Sequence, residues 1–334
     1  MRSTMRSAAC LCLLLCLVRP VRAEVTEVRI SRGYGVLYLP LYVIEAQAFL
    51  VKRAKEKGLG EPKVTWLTFD GGNIINDAML SGALDIASIG VPGFLTLWAK
   101  AKNSKNEILG ISGMSATSLY LNSRNPRIHS LKDYGPEDKI AMPGIKTSLS
   151  AVILELAAAQ EFGEENFARL DPMTVGLPHP DAMAAMISGK TGVESHLTSP
   201  PFSFLELEHK EIHRVVNSVD VLGHVTMVLP YTTKRFHDQN PKLLAAFLAA
   251  LDDAHEFIRK HPRETAALYA RAAKVKVPEA EFLRILQDPD TRFSTTPEGV
   301  MKFADFMFRV HTIAAAPASW KELFFPEVQG LPGN

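Results

Sequence analysis

The chain has 334 residues, 47% hydrophobic and 22% charged, with 37 Lys and Arg against 36 Asp and Glu. Such fractions exclude collagen-like, coiled-coil and wholly disordered classes. A net charge of +1 excludes bulk attraction to nucleic acid, and the length allows one large domain or two smaller ones.

Residues 1–23 carry Arg2 and Arg6, an apolar stretch over 8–18, and Val21-Arg22-Ala23. This is the basic, apolar and small-residue order of a secretory signal peptide, with cleavage expected after Ala23. The apolar stretch falls short of the roughly 20 residues that a membrane span needs; a short N-terminal anchor is the alternative. Cys16 follows Leu15 rather than a small residue, which argues against a lipoprotein-type cut. All three cysteines (Cys10, Cys12, Cys16) and four arginines lie in this leader. The product would therefore be slightly acidic and cysteine-free, which removes thiol nucleophiles, thiolate zinc sites and iron–sulfur clusters.

After the leader, residues 25–30 alternate as a strand and run into the turn Gly33-Tyr34-Gly35. Leu41, Ile44, Phe49 and Val51 then recur at helical spacing over 40–54. A strand over 64–69, the turn Asp70-Gly71-Gly72-Asn73, a helix over 74–80 and a buried strand over 84–89 follow. Gly90-Val91-Pro92-Gly93 opens a helix ending near Ala101. Strand, helix, strand, helix, strand implies a parallel sheet with helices on its faces. Strands over 108–112 and 118–122 lead into a second, similar series. It comprises a strand at 139–142, a turn at 143–148 and a helix at 149–162. A strand at 174–176, a helix at 181–187 and a strand at 193–197 complete it. Strands at 214–216 and 225–229 precede helices at 241–260, 262–273, 278–286 and 297–315, each at or just after a proline. The order of elements repeats, so two lobes of like topology are expected.

Catalytic motifs are not supported. Gly33-Tyr34-Gly35 lacks the third glycine of a dinucleotide fingerprint, Tyr38 standing in its place. Lys190-Thr191-Gly192 has no accompanying Ser-x-x-Lys or Ser-Asp-Asn. His209 and His213 are spaced for a shared metal but sit among Glu206, Glu208, Lys210, Glu211 and Arg214, as on a solvated helix end. What remains is a set of polar and glycine-rich turns at the carboxyl ends of strands, the edge where open parallel sheets bind ligands.

Gly71-Gly72 followed by residues 77–87, Asp-Ala-Met-Leu-Ser-Gly-Ala-Leu-Asp-Ile-Ala, resembles the periplasmic solute-binding proteins of nitrate/sulfonate/taurine-type ABC importers. Their wider group includes thiamine-pyrimidine-precursor binders. Residues 181–189, Asp-Ala-Met-Ala-Ala-Met-Ile-Ser-Gly, echo the motif. Asn240-Pro241 and His261-Pro262 resemble the family's C-terminal helices. The resemblance covers most of residues 25–270. Glu194-Ser195 departs from the family's usual Asp-Ala, and the stretch from His196 to Phe202 is unlike the sulfonate binders.

The resemblance implies an α/β, two-lobed, type II-like periplasmic binding protein. Each lobe would be a mostly parallel sheet flanked by helices, the two joined by hinge strands. Lobe one would be 24–116 plus 225–334 and lobe two 117–224. It implies a periplasmic monomer that closes on a small anionic or heterocyclic solute and delivers it to an ABC permease and ATPase. No cofactor, metal, nucleic-acid partner or catalysis is expected. An enzyme on the same fold, pyrimidine synthase or desulfinase-like, and a sensor for a membrane kinase are the alternatives.

Four turns should line the cleft. They supply Tyr34 and Tyr38 for stacking, the backbone of Gly71, Gly72 and Asn73, Gly90 at a helix start, and Lys146, Thr147 and Ser148. Ser148 is expected as helix N-cap, ligand contact or both. Ser115, Thr117 and Ser118 at the first crossing, with Ser199 and Phe202 from lobe two, complete the set. Several helix N-termini aimed at one cleft would favour an anion, with Lys146 adding a full charge.

Overall fold

The computed structural model describes residues 23–69, 72–273 and 276–334, without the side chains of Gly72 and Asn73. Residues 1–22 of the expected leader (1–23) and the candidate Gly71 lie outside the described residues. Among the described residues no helix is long and apolar enough to cross a membrane.

The chain begins with β1 (Glu27–Arg32), which places Val28 and Ile30 in the core. A short 3₁₀ turn leads to α1 (Leu39–Gln47), started by Pro40, and then to α2 (Phe49–Glu56). The sequence predicted one helix here. It breaks at Ala48, which takes a left-handed conformation (φ 52°, ψ 33°). The break lets α1 bury Leu39 through Ile44 while α2 turns its own face toward a later helix. β2 (Lys63–Thr68), α3 (Gly72–Leu80), β3 (Ala87–Gly90) and α4 (Val91–Ala101) follow, with β4 (Ile108–Gly110) and β5 (Ser115–Ala116).

The chain then enters a second sheet with β6 (Tyr120–Ser123) and β7 (Ile140–Met142). It continues through α5 (Leu149–Phe162), β8 (Thr174–Gly176), α6 (His179–Ser188), β9 (Ser195–Thr198), α7 (Phe202–Leu207), β10 (His213–Asn217) and α8 (Ser218–Leu222). It returns to the first sheet with β11 (Val228–Thr233). The last elements are α9 (Lys234–Gln239), α10 (Pro241–Lys260), α11 (Pro262–Ala272), α12 (Glu279–Gln287), β12 (Arg292–Phe293) and α13 (Val300–Arg309). The predicted strand at 225–229 begins three residues later, because Met227 N is already bonded to Ser115 O at the crossing. The helix predicted over 297–315 is confined to α13. The short α8 and α9 were not predicted; each rests on a local cap, Asn217 Oδ1 accepting from Val219 N and Thr233 Oγ1 from Phe236 N.

Both sheets are mixed. β1 pairs with β2 in parallel and joins the segment leading into β3 through the parallel bridge Ile30–Ile86. β11 then runs antiparallel to β3, β4 and β5. In the second sheet β8, β7 and β9 are parallel neighbours, and β6 runs antiparallel to β9 and β10. The orders β2-β1-β3-β11-β5 and β8-β7-β9-β6-β10 correspond. The parallel portion is what the strand–helix–strand pattern implied. The antiparallel strand next to it is, each time, the one that enters from the other sheet.

α10 packs on α1 and α2, with Arg53 held by Asp253 through two 2.6 Å bonds and Phe49 edge-on to Phe257. Tyr42 meets Tyr269 of α11 at 5.4 Å. α13 lies against both α4 and α5, with Phe306 edge-on to Phe167.

Ala48 gives a direct test, because glycine occupies a left-handed helix end without the Cβ penalty. Ala48→Gly is expected to stabilise the chain by about 0.5–1 kcal/mol and Ala48→Val to destabilise it, as read by urea unfolding.

Candidate functional site

Loops from the carboxyl ends of both sheets meet around a cavity of about 60 Å³. From the first sheet, Tyr34, Leu37 and Tyr38 come from the turn after β1, and Ile89, Gly90 and Gly93 from the β3–α4 junction. From the second, Thr147, Ser148 and Ser150 come from the start of α5, His179 from the start of α6 and Ser199 from the end of β9. Phe69, Ile75, Leu119, Leu149 and Val228 supply apolar wall. Among the described lining residues none carries a fixed charge.

The two sides touch. Val36 N donates to Pro200 O at 2.8 Å. Gly35 beside it has φ +96°, and a Cβ there would stand 3.1 Å from Pro200 O and 3.2 Å from Ser199 Oγ. Only glycine combines that backbone with that approach. At Gly90 a Cβ would come within 2.8 Å of Leu149 Cβ. The loops of the two sheets are thus in direct contact across the cavity, through one backbone hydrogen bond and the close approach at Gly90.

Among the described residues, the helices that start at the cavity include α4 with Pro92 in its first turn, the 14-residue α5, and α6, whose first residue is His179. Their first-turn N–H groups lack intrahelical partners and carry the positive end of the helix dipole. Ser148 caps α5, its Oγ accepting from Ala151 N at 3.1 Å, and it also lines the cavity.

Of the residues expected from sequence, Tyr34, Tyr38, Gly90, Thr147, Ser148 and Ser199 are brought together on the wall. Gly72 and Asn73 contribute backbone to the first turn of α3. Ser115 is buried behind the wall, its hydroxyl donating to Leu37 O at 2.5 Å. Thr117 and Ser118 are buried at the crossing, and the Thr117 hydroxyl has no partner. Phe202 is fully buried and stacks on His179 (centroids 5.5 Å apart, 24° between planes) from behind the wall. Lys146 does not reach the cavity. The turn takes φ +70° at this residue and leaves it exposed, with its charge acting on Glu155 and Asp171.

Sequence reading gave His179 no role. A signal was present: aligning Ala78-Met79-Leu80-Ser81-Gly82 on Ala185-Met186-Ile187-Ser188-Gly189 sets His179 opposite Gly72 at the same pre-helix turn. Beneath the Thr147–Ser148 turn, Glu155 is 2% exposed and its Oε2 is unpartnered. Burial, reinforced by Asp171 and opposed by Lys146, pushes its pKa up to about 8.

Two sheets of corresponding strand order, joined by crossing segments and closed around a cavity at their carboxyl edges, define the two-lobed periplasmic binding-protein fold. Solved structures with this likeness include an alkanesulfonate-binding protein from Xanthomonas axonopodis pv. citri bound to MOPS. It is 17% identical over 88% of this chain and 96% of its own, with a TM-score of 0.67. The periplasmic aliphatic sulphonate-binding protein of Escherichia coli is 19% identical over 90% and 92%, TM-score 0.66. The periplasmic nitrate-binding protein of Synechocystis PCC 6803 is 15% identical over 90% and 84%, TM-score 0.68. These are the kinds of protein that the sequence motifs resemble. No family model matches the chain, and no curated protein matches its sequence.

Gly90→Ala is expected to hold the lobes apart, raising the radius of gyration in small-angle scattering without lowering the unfolding midpoint by more than about 1 kcal/mol. The buried Glu155 carboxyl predicts a pH trend. The folded chain keeps this proton to about pH 8, whereas an ordinary glutamate releases it near 4.5. Its stabilising contribution is therefore complete below pH 4.5 and lost as pH rises through 8. Denaturant unfolding should show Glu155→Gln matching the parent at pH 4.5 and exceeding it by about 2 kcal/mol at pH 8.5.

Proposed function

We propose that the chain is the exported solute-binding subunit of an ABC importer, which closes on a small anion and presents it to a membrane permease and its ATPase. In this reading residues 24–116 and 225–334 form one lobe, 117–224 the other, and the leader is removed after Ala23. The observation that carries it is the cavity itself. It is lined from both lobes and sealed by the Val36–Pro200 bond, so a solute held there stabilises the closed form.

Among its described residues the wall offers an anion dipoles rather than a full charge. The start of α5 faces the cavity, and Thr147, Ser150, Ser199, Tyr34 and Tyr38 add hydroxyls around it. The space favours a small solute. One water needs about 10–15 Å³, so about 60 Å³ suits a solute of a few heavy atoms, such as nitrate or methanesulfonate. Binding rather than turnover is supported by the solved structures of like fold, which are binding proteins.

A thermal-shift panel of nitrate, methanesulfonate, longer alkanesulfonates, short carboxylates and pyrimidines tests the proposal. A binding anion at a hundredfold excess over Kd is expected to stabilise the mature chain by about 2.7 kcal/mol; a panel without any shift overturns the reading. In the same assay Thr147→Val is expected to weaken the binding anion tenfold or more. Lys146→Ala, off the wall, should change affinity less than threefold.

A further inference from the structure

The end of the first sheet away from the cavity carries a second concavity. Ile75 of α3 and Val228 of β11 line the cavity. Leu80, at the far end of α3, and Thr233, at the far end of β11, instead line a groove of about 460 Å³. Arg29 of β1, Asp85 before β3, Lys105 before β4 and Arg235 of α9 supply its charged side chains.

Among these residues three cations face one carboxylate, and that carboxylate is already engaged. Asp85 Oδ1 accepts from Arg29 Nη2 at 2.8 Å, and its Oδ2 accepts from Arg29 Nε at 2.9 Å and from the Arg29 backbone N–H at 2.8 Å. The pair fixes the guanidinium in one orientation and leaves Nη1 unengaged, with 38% of the Arg29 side chain exposed. Lys105 and Arg235 are exposed, and neither side chain has a hydrogen bond or ion pair among the described residues. Acids close by in the chain are matched elsewhere. Glu107 lies 3.9 Å from Lys234, and Asp238 contacts His237 at 3.0 Å. Asp77 of α3 is exposed but does not line the groove. Two positive charges are thus left uncompensated in one concavity, on a chain expected to be slightly acidic once its leader is gone.

Apolar surface accompanies the charge. Leu80 is 43% exposed, and half-buried Phe236 shares the lining. At Gly82, after α3, a Cβ would meet nothing within 4 Å, so this side of the groove is open. A large apolar side chain left in water between unpaired cations marks a surface that binds something.

Charge and shape together select the occupant. A held guanidinium with a free edge, a lysine and a second arginine recognise carboxylates, and Leu80 with Phe236 calls for an aliphatic or aromatic side chain. An inorganic anion would leave that apolar surface uncovered, and a flat lipid surface would not fill the concavity. We propose that the groove docks an acidic segment of a partner protein, its carboxylates on Arg29, Lys105 and Arg235 and an apolar side chain over Leu80 and Phe236. All lining residues fall within 24–116 and 225–334, so docking needs no movement of one lobe against the other. It is also independent of what the cavity holds.

Fluorescence anisotropy on the mature chain tests this with a labelled peptide of repeating Glu-Glu-Leu and its Gln-Gln-Leu counterpart. The acidic peptide is expected to bind about tenfold more tightly than the neutral one and to weaken as sodium chloride is raised. Replacing both cations, Lys105→Ala with Arg235→Ala, is expected to weaken it about tenfold. Leu80→Ser is expected to weaken it about threefold, which bulk charge attraction would not do. Lys190→Ala, at an exposed cation outside the groove, should change affinity less than twofold, and nitrate or methanesulfonate should leave it unchanged. Equal binding of the two peptides, or equal weakening by the Lys190 variant, overturns the docking site. Phosphatidylglycerol vesicles that bind through Lys105, Arg235 and Leu80 where the acidic peptide does not would assign the groove to a membrane and overturn it as well. A solute panel without a hit overturns only the solute reading and leaves these peptide outcomes decisive.

Discussion

Between Val36 N and Pro200 O, one 2.8 Å backbone hydrogen bond joins a loop of the first sheet to a loop of the second, and the cavity lies where that closure leaves space. Backbone reaches backbone only because Gly35 has no side chain, and the same demand recurs at Gly90 against Leu149. The sheets are brought to this position by the crossings, where Ser115 pairs with Val228 and Ser218 bonds Leu119. With β5 and β11 in the first sheet and β6 and β10 in the second, the crossings are strand extensions rather than tethers.

Closure sets the electrostatics. The sealed wall has hydroxyls, helix starts and an imidazole, but no fixed charge among its described residues. Carboxylates are kept one layer back, Glu155 beneath the α5 turn and Glu206 behind His196. Glu155 is desolvated and holds its proton to about pH 8. Glu206 engages His196 and Asn122 at once.

Much of the framework was legible in the letters. α5 and α10 match their predicted limits, and β8 does too, because long apolar periods and start signals such as Ser148 and Pro241 are local. The break at Ala48 was not legible: α1 and α2 both pack against α10, about 200 residues away, and that contact is not recorded in the local pattern. The position of β11 was set by its pairing with β3, β4 and β5 rather than by its own alternation. Among the site residues, turns after strands could be named from the order of elements. Which side chain of a turn faces inward could not, and so Thr147 and Ser148 line the cavity while the adjacent Lys146 does not.

The sequence by itself determined the repeated strand–helix order, the glycine-rich turns at the strand ends and the resemblance to importer binding proteins, because these depend on residue type and local spacing. Tertiary structure alone decided the mixed sheets, which hydroxyls of the turns reach the wall, and the His179–His196–Glu206 line, which draws on α6, β9 and α7. Such contacts arise where elements distant in the chain share one low-dielectric space, and no local pattern of residues records which side chains will meet there.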